Sequence, residues 1–98
     1  MDNKRLEEEI KEVNEEIKLI NELINDYHNI VYKIQENKDK IFSPGTILID
    51  LYKHIVKLQS FKLQNYEERS YFKSKMIENY QNLNYNQEKS YAKDNANM

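Results

Sequence analysis

The chain has 98 residues, of which 39% are hydrophobic and 33% are charged, and its formal net charge is −2. This length allows one domain, and the charge argues against general nucleic-acid binding through bulk positive charge. With one Gly, one Pro and no Cys, the composition disfavours a turn-rich all-β fold and excludes disulfides, a thiolate metal site and a cysteine nucleophile. We therefore expect an all-α protein.

The first predicted helix spans about residues 3–40 and begins at Asp2 or Asn3, both good N-cap residues. Its apolar residues recur every three or four positions, which places them in one stripe that another helix must cover. Leu19, Leu23 and Ile30 widen this stripe from about residue 19 onward, which favours two neighbouring helices over one. The stripe consists of Leu6, Ile10, Val13, Ile17, Ile20, Ile24, Tyr27, Val31 and Ile34.

The segment 41–46 is the predicted turn, because it contains the single Pro and the single Gly of the chain. Ser43 followed by Pro44 is typical of a helix start, and Thr46 is the alternative cap. A short connection between two long helices predicts an antiparallel hairpin over residues 1–83. The second helix is expected over about 46–83, and residues 84–98 are expected to form a polar flexible tail.

The apolar residues between Ile47 and Leu63 do not fit on one face of the second helix. Such a helix needs cover on more than one side, and the first helix cannot supply all of it. We therefore expect the long, coiled-coil-like hairpin to assemble into a helical bundle, as a dimer with a trimer as the alternative, or to bind a protein partner. The expected interface residues are Ile10, Val13, Ile17, Ile20, Ile24, Tyr27, Val31, Ile34, Leu48, Leu51, Tyr52, Ile55, Leu58 and Phe61.

Charge is unevenly distributed along the chain. Residues 1–36 carry ten acidic and five basic side chains, and residues 37–98 carry seven acidic and ten basic ones. We favour an acidic first helix lying against a more basic second helix, and the alternative is an acidic partner. The second helix also alternates tyrosines with basic residues, which is typical of partner surfaces and of single-strand nucleic-acid binders. The candidate contact residues are Tyr66, Tyr71, Lys73, Lys75 and Tyr80.

Catalytic and metal-binding patterns are absent from the sequence. Asp50 and His54 lie one helical turn apart, but a metal site needs three or four ligands, and His28 is distant in the sequence. The serines lie in no nucleophile motif, and a single Gly cannot build a phosphate-binding loop. We expect no enzymatic activity, no cofactor and no metal. The apolar runs are too short to span a membrane, so we expect a cytoplasmic protein without a membrane partner.

In size and hairpin layout the chain resembles the WXG100 family of secreted two-helix proteins. That family carries Trp-x-Gly at its turn, where this chain reads Phe42-Ser43-Pro44-Gly45 and has no Trp. The resemblance implies a secretion-associated hairpin as an alternative function, and the Tyr/Lys-rich second helix implies a nucleic-acid accessory protein as another. The function that we expect is non-catalytic: a small coiled-coil regulator, adaptor or inhibitor that binds a partner protein.

Overall fold

The computed structural model describes the backbone of residues 2–96 and the side chains of residues 2–83. Helix α1 spans Asn3–Glu36, a single 3-10 turn spans Lys38–Lys40, and helix α2 spans Pro44–Ala96. The two helices pack against each other along α1 as an antiparallel pair. The prediction of an all-α helical hairpin is therefore confirmed.

Both ends of α1 are held by side-chain hydrogen bonds. At the start, the backbone N–H of Arg5 donates to a carboxylate oxygen of Asp2 over 2.8 Å, as expected of an N-cap. At the end, the side-chain amide of Asn37 donates to the carbonyl of Lys33 over 2.8 Å. The backbone N–H of Asn37 also donates to the carbonyls of Lys33 and Ile34, over 3.2 Å each, and Asn37 has φ −114° and ψ 20°, outside the helical region. The helix α1 thus ends at Glu36, before the predicted end near residue 40.

Helix α2 begins at Pro44, which supports the first of the two predicted starts. The carbonyl of Ser43 accepts the first helical hydrogen bond, from the N–H of Ile47 over 3.4 Å. Ser43 itself has φ 51°, in the left-handed region that L residues rarely occupy. Ser43 is the last residue of the connection in which the chain reverses between the two helices.

The end of α2 differs from the prediction. A polar flexible tail was expected from residue 84, but the backbone stays helical to Ala96. No Gly or Pro follows Gly45, so no strong helix breaker interrupts the backbone after the first turn of α2. The polar composition after residue 83 was a poor guide to the helix end. It indicates that this segment has no apolar face to bury against another helix, and it does not indicate low helix propensity. Residues 97–98 lie outside the described part of the chain.

Three contacts fix the register of the two helices. The rings of Tyr27 and His54 stack with centroids 5.7 Å apart near the turn. In the middle, Arg69 donates to the side-chain oxygen of Asn14 over 2.8 Å. Near the start of α1, the amide of Asn79 donates to the side-chain oxygen of Asn3 over 3.1 Å. The pairing is therefore continuous over the full length of α1, and the remainder of α2 extends past its start.

The contact between the helices is an antiparallel coiled-coil seam with heptad spacing on both sides. With Ile10 of α1 and Leu48 of α2 at heptad position a, the a and d residues of each helix face the other helix. On α1, Leu6, Val13, Ile17, Ile20 and Val31 are buried, and the other four stripe residues are half-buried. On α2 the seam residues, all buried or half-buried, are Leu48, Leu51, Ile55, Leu58, Lys62, Asn65, Arg69, Phe72, Met76 and Asn79.

Candidate interaction surface

Most of the predicted interface residues lie in the seam between α1 and α2 of one chain. The eight predicted on α1, and Leu48, Leu51, Ile55 and Leu58 on α2, are buried or half-buried there. Tyr52 and Phe61 differ, because both are exposed on α2, outside the seam. A surface for another molecule must therefore be sought among the apolar side chains that the hairpin leaves uncovered.

One such surface is a second apolar stripe along α2, which we call the outer stripe. Its members occupy heptad positions b and e, so they lie about 100° around the helix from the seam. Tyr66 is half-buried, and the exposed fractions of the other members range from 44% for Tyr52 to 62% for Tyr80. The outer stripe consists of Ile49, Tyr52, Val56, Leu63, Tyr66, Ile77 and Tyr80.

A second apolar surface lies on the opposite flank of the hairpin, near the turn, and we call it the flank patch. Leu23 and Phe61 line a shallow groove of about 160 Å³ there, together with Tyr27, His54 and Leu58. Because Leu23 and Phe61 occupy heptad position g, this flank faces away from the e positions of the outer stripe. The exposed apolar members of the flank patch are Leu19, Leu23, Ile30, Ile47 and Phe61.

The Tyr/Lys-rich part of α2 makes contacts within its own helix. The Tyr66 ring has the Arg69 guanidinium 4.9 Å and the Lys62 ammonium 5.7 Å from its centroid. The ammonium group of Lys75 lies 5.6 Å from the centroid of the Tyr71 ring. These distances are within the range of cation–π attraction. Both rings therefore have cations of the same chain placed against them.

Of the predicted contact residues in this region, Tyr71, Lys73 and Tyr80 are exposed, and Tyr66 and Lys75 are half-buried. Lys75 also forms an ion pair with Glu78 at 3.1 Å. The hydrogen bond that Lys75 donates to Glu78 and the charge of the Glu78 carboxylate raise the pKa of Lys75 above its ordinary value, with a smaller contribution from Tyr71. Lys75 is therefore held as a cation at the surface.

The polar block Lys62, Asn65 and Arg69 occupies three successive positions of the α2 seam. Periodicity missed it, because a search for apolar spacing does not register a seam in which polar residues replace apolar ones. The stems of Lys62 and Arg69 reach outward to Tyr66, so their charges leave the seam. Asn65 is only 6% exposed, and its side-chain nitrogen has no hydrogen-bond partner. A buried unpaired amide is costly, so this position lowers stability.

The two histidines do not converge. His54 stacks on Tyr27 on the flank-patch side, whereas His28 occupies position e of α1, on the other side of the seam. Within the described residues, no group of three or more His, Cys, Asp or Glu side chains is placed to hold a metal ion. In the same part of the chain, no helix has an apolar stretch of the length needed to cross a membrane.

Comparison with known proteins adds no family to this description. No protein-family model matches the chain, and no curated protein or solved structure matches it.

Proposed function

We propose that this chain is a non-catalytic protein–protein interaction module, a small cytoplasmic coiled-coil regulator, adaptor or inhibitor that acts by binding a partner protein. The observation that carries the proposal is the amount of apolar surface left on both flanks after the hairpin has closed. Contiguous exposed apolar patches of this kind mark interaction sites in soluble proteins. At the turn, Phe42 adds an aromatic side chain that is 93% exposed.

The flank patch is the surface that we assign to the partner. Its groove runs between two helices and has apolar walls from Leu23, Leu58 and Phe61, with Lys57 at its edge. A groove between helices fits the apolar face of an amphipathic helix, whose side chains at i, i+3 and i+4 enter it. Aromatic side chains such as Tyr27 and Phe61 provide much of the binding free energy at such sites. The partner is thus expected to present an amphipathic helix.

Site-specific photo-crosslinking in extracts of the source cell tests this proposal. A photoreactive amino acid in place of Phe61 should give a discrete cross-linked product, and the same group in place of the exposed Glu15 should not. Excess wild-type chain should compete the product away. Excess Leu23→Asp chain should not compete, because the charge lies in the groove while the seam is left intact. Equal labelling from both positions, or competition by both chains, would contradict the proposal.

Two alternatives are weaker. The nucleic-acid alternative has less support than the sequence suggested, because Tyr66 and Tyr71 already hold cations of this chain against their rings. It predicts retardation of single-stranded DNA or RNA at low salt, and loss of that retardation in Lys73→Glu. The secretion-associated alternative depends on the hairpin layout, and it predicts export of the full-length chain.

A further inference from the structure

We infer that the outer stripe of α2 is covered by a second copy of this chain, with the two α2 helices antiparallel across a two-fold axis. The inference deepens the proposal that the chain is an interaction module, and it names the occupant of a surface other than the flank patch. It depends on the spacing, chemical symmetry and exposure of the outer stripe.

The outer stripe has the features of a coiled-coil seam that lacks its partner. The b and e positions from Ile49 to Tyr80 alternate steps of three and four residues, the same spacing as the seam that α1 covers, and seven of these ten positions are the residues of the outer stripe. Shallow apolar depressions lie at both ends, one beside Ile49 and Val56 and the other beside Ile77 and Tyr80. A helix with two seams about 100° apart can pack against two neighbours, and α1 supplies only one of them.

The residues of the outer stripe are complementary to the same stripe read in reverse. When two α2 helices are aligned antiparallel with Leu63 opposite Tyr66 of the second copy, Ile49 falls opposite Tyr80. In the same alignment Tyr52 falls opposite Ile77. The apolar residues thus meet apolar residues at both ends and in the centre, as a self-complementary two-fold interface requires.

The polar positions along this line obey the same symmetry. Gln59 falls opposite Ser70 of the second copy, so two polar residues meet. Val56 falls opposite Lys73, whose methylene stem can cover the valine while its ammonium group stays in water. A parallel arrangement would instead set Lys73 against Lys73 and align the two helix dipoles in the same direction, both of which are unfavourable. The sequence therefore favours the antiparallel arrangement.

The same axis brings the α1 helices of the two copies to one side of the pair of α2 helices. Given the register within each hairpin, Glu7 then lies level with His28 of the second copy, and Asn14 lies level with Asn21. These e positions are polar or charged and carry no like-charge pair between them. The outer face of α1 is thus compatible with the two-fold arrangement.

Sedimentation equilibrium tests the occupant. The wild-type chain should have twice its monomer mass of 11.9 kDa. Leu63→Asp should sediment at the monomer mass while its circular dichroism remains helical, because Leu63 is exposed within the hairpin. The matched control is Gln64→Asp, next to Leu63 but off the outer stripe, and it should remain dimeric. A monomeric or trimeric wild type, or a Leu63→Asp variant that stays dimeric, would overturn the inference.

Disulfide trapping tests the direction, and it does not rely on a variant that weakens association. The chain has no cysteine, so any disulfide that forms must involve the introduced thiols. Mixing Ile49→Cys with Tyr80→Cys under oxidation should give a covalent dimer, and neither variant should give one alone. A disulfide dimer of Ile49→Cys alone would indicate parallel helices and overturn the inference.

The two proposals fail separately. A monomeric wild type that still gives the Phe61 cross-link would refute only the proposed dimer. A dimeric wild type that gives no Phe61 cross-link would refute only the proposed partner at the flank patch.

Discussion

Replacing the buried amide of Asn65 with an apolar side chain should stabilise the hairpin. Asn65 is 6% exposed and its side-chain nitrogen is unpaired, so folding removes that group from water without a replacement hydrogen bond. Such an orphaned group costs about 1–3 kcal/mol. Asn65→Leu removes this cost and places an apolar residue in a heptad d position, where Leu packs well. We expect the free energy of unfolding to rise by about 1–3 kcal/mol.

Thermal unfolding followed by circular dichroism measures this effect. For a chain of this size, each kcal/mol shifts Tm by about 4–8 °C. The matched control is Asn29→Leu on the exposed face of α1, which makes the same gain in helix propensity without burial. All chains are compared at one protein concentration, because self-association would make Tm depend on concentration. A loss of stability in Asn65→Leu, or a gain no larger than that of Asn29→Leu, would refute the reasoning.

Three further predictions follow from individual contacts. Ile20→Asp places a carboxylate at a site that is 7% exposed and should lower the free energy of unfolding in urea by at least about 3 kcal/mol. The control Leu19→Asp, at a site that is 55% exposed, should change that free energy by no more than about 0.5 kcal/mol. Ser43→Gly should raise the free energy of unfolding by about 1 kcal/mol, because Gly adopts the positive φ of Ser43 without strain, and an unchanged or lower Tm would contradict this. Glu78→Gln should lower the pKa of Lys75 in an NMR titration, and because that pKa is raised in the folded chain, any stability from the pair should be lost only as pH rises above 10.5.

The first seam could be predicted from sequence because every one of its positions on α1 is apolar. Periodicity alone identified the stripe from Leu6 to Ile34, and the structure places those residues against α2. The end of α1 was missed, because it depends on the local backbone conformation and capping contacts of Asn37 rather than on hydrophobic spacing. Capping by Asn is a weak signal in a chain with many asparagines.

The organisation of α2 was harder to predict because two heptad patterns overlap on it. The seam toward α1 contains Lys62, Asn65 and Arg69, so it is not continuous in hydropathy. The outer stripe adds apolar residues at neighbouring positions, and together the two patterns looked like a helix that is apolar all round. The two patterns can be distinguished only when the register of α2 against α1 is known. Once that register is fixed, the heptad letters separate the seam, the outer stripe and the flank-patch residues Ile47 and Phe61.

The antiparallel pairing has a consequence for how the chain folds. The contact of Tyr27 with His54 joins residues 27 apart, that of Asn14 with Arg69 joins residues 55 apart, and that of Asn3 with Asn79 joins residues 76 apart. Once the pair nearest the bend has formed, each further turn of the seam between these pairs closes only a few additional residues on each helix, so the entropy cost of each step is small. We expect the interhelical contacts to form first near the bend and then progressively toward the far end of the hairpin. Substitutions around Tyr27 and His54 should then slow folding, and those around Asn3 and Asn79 should mainly speed unfolding.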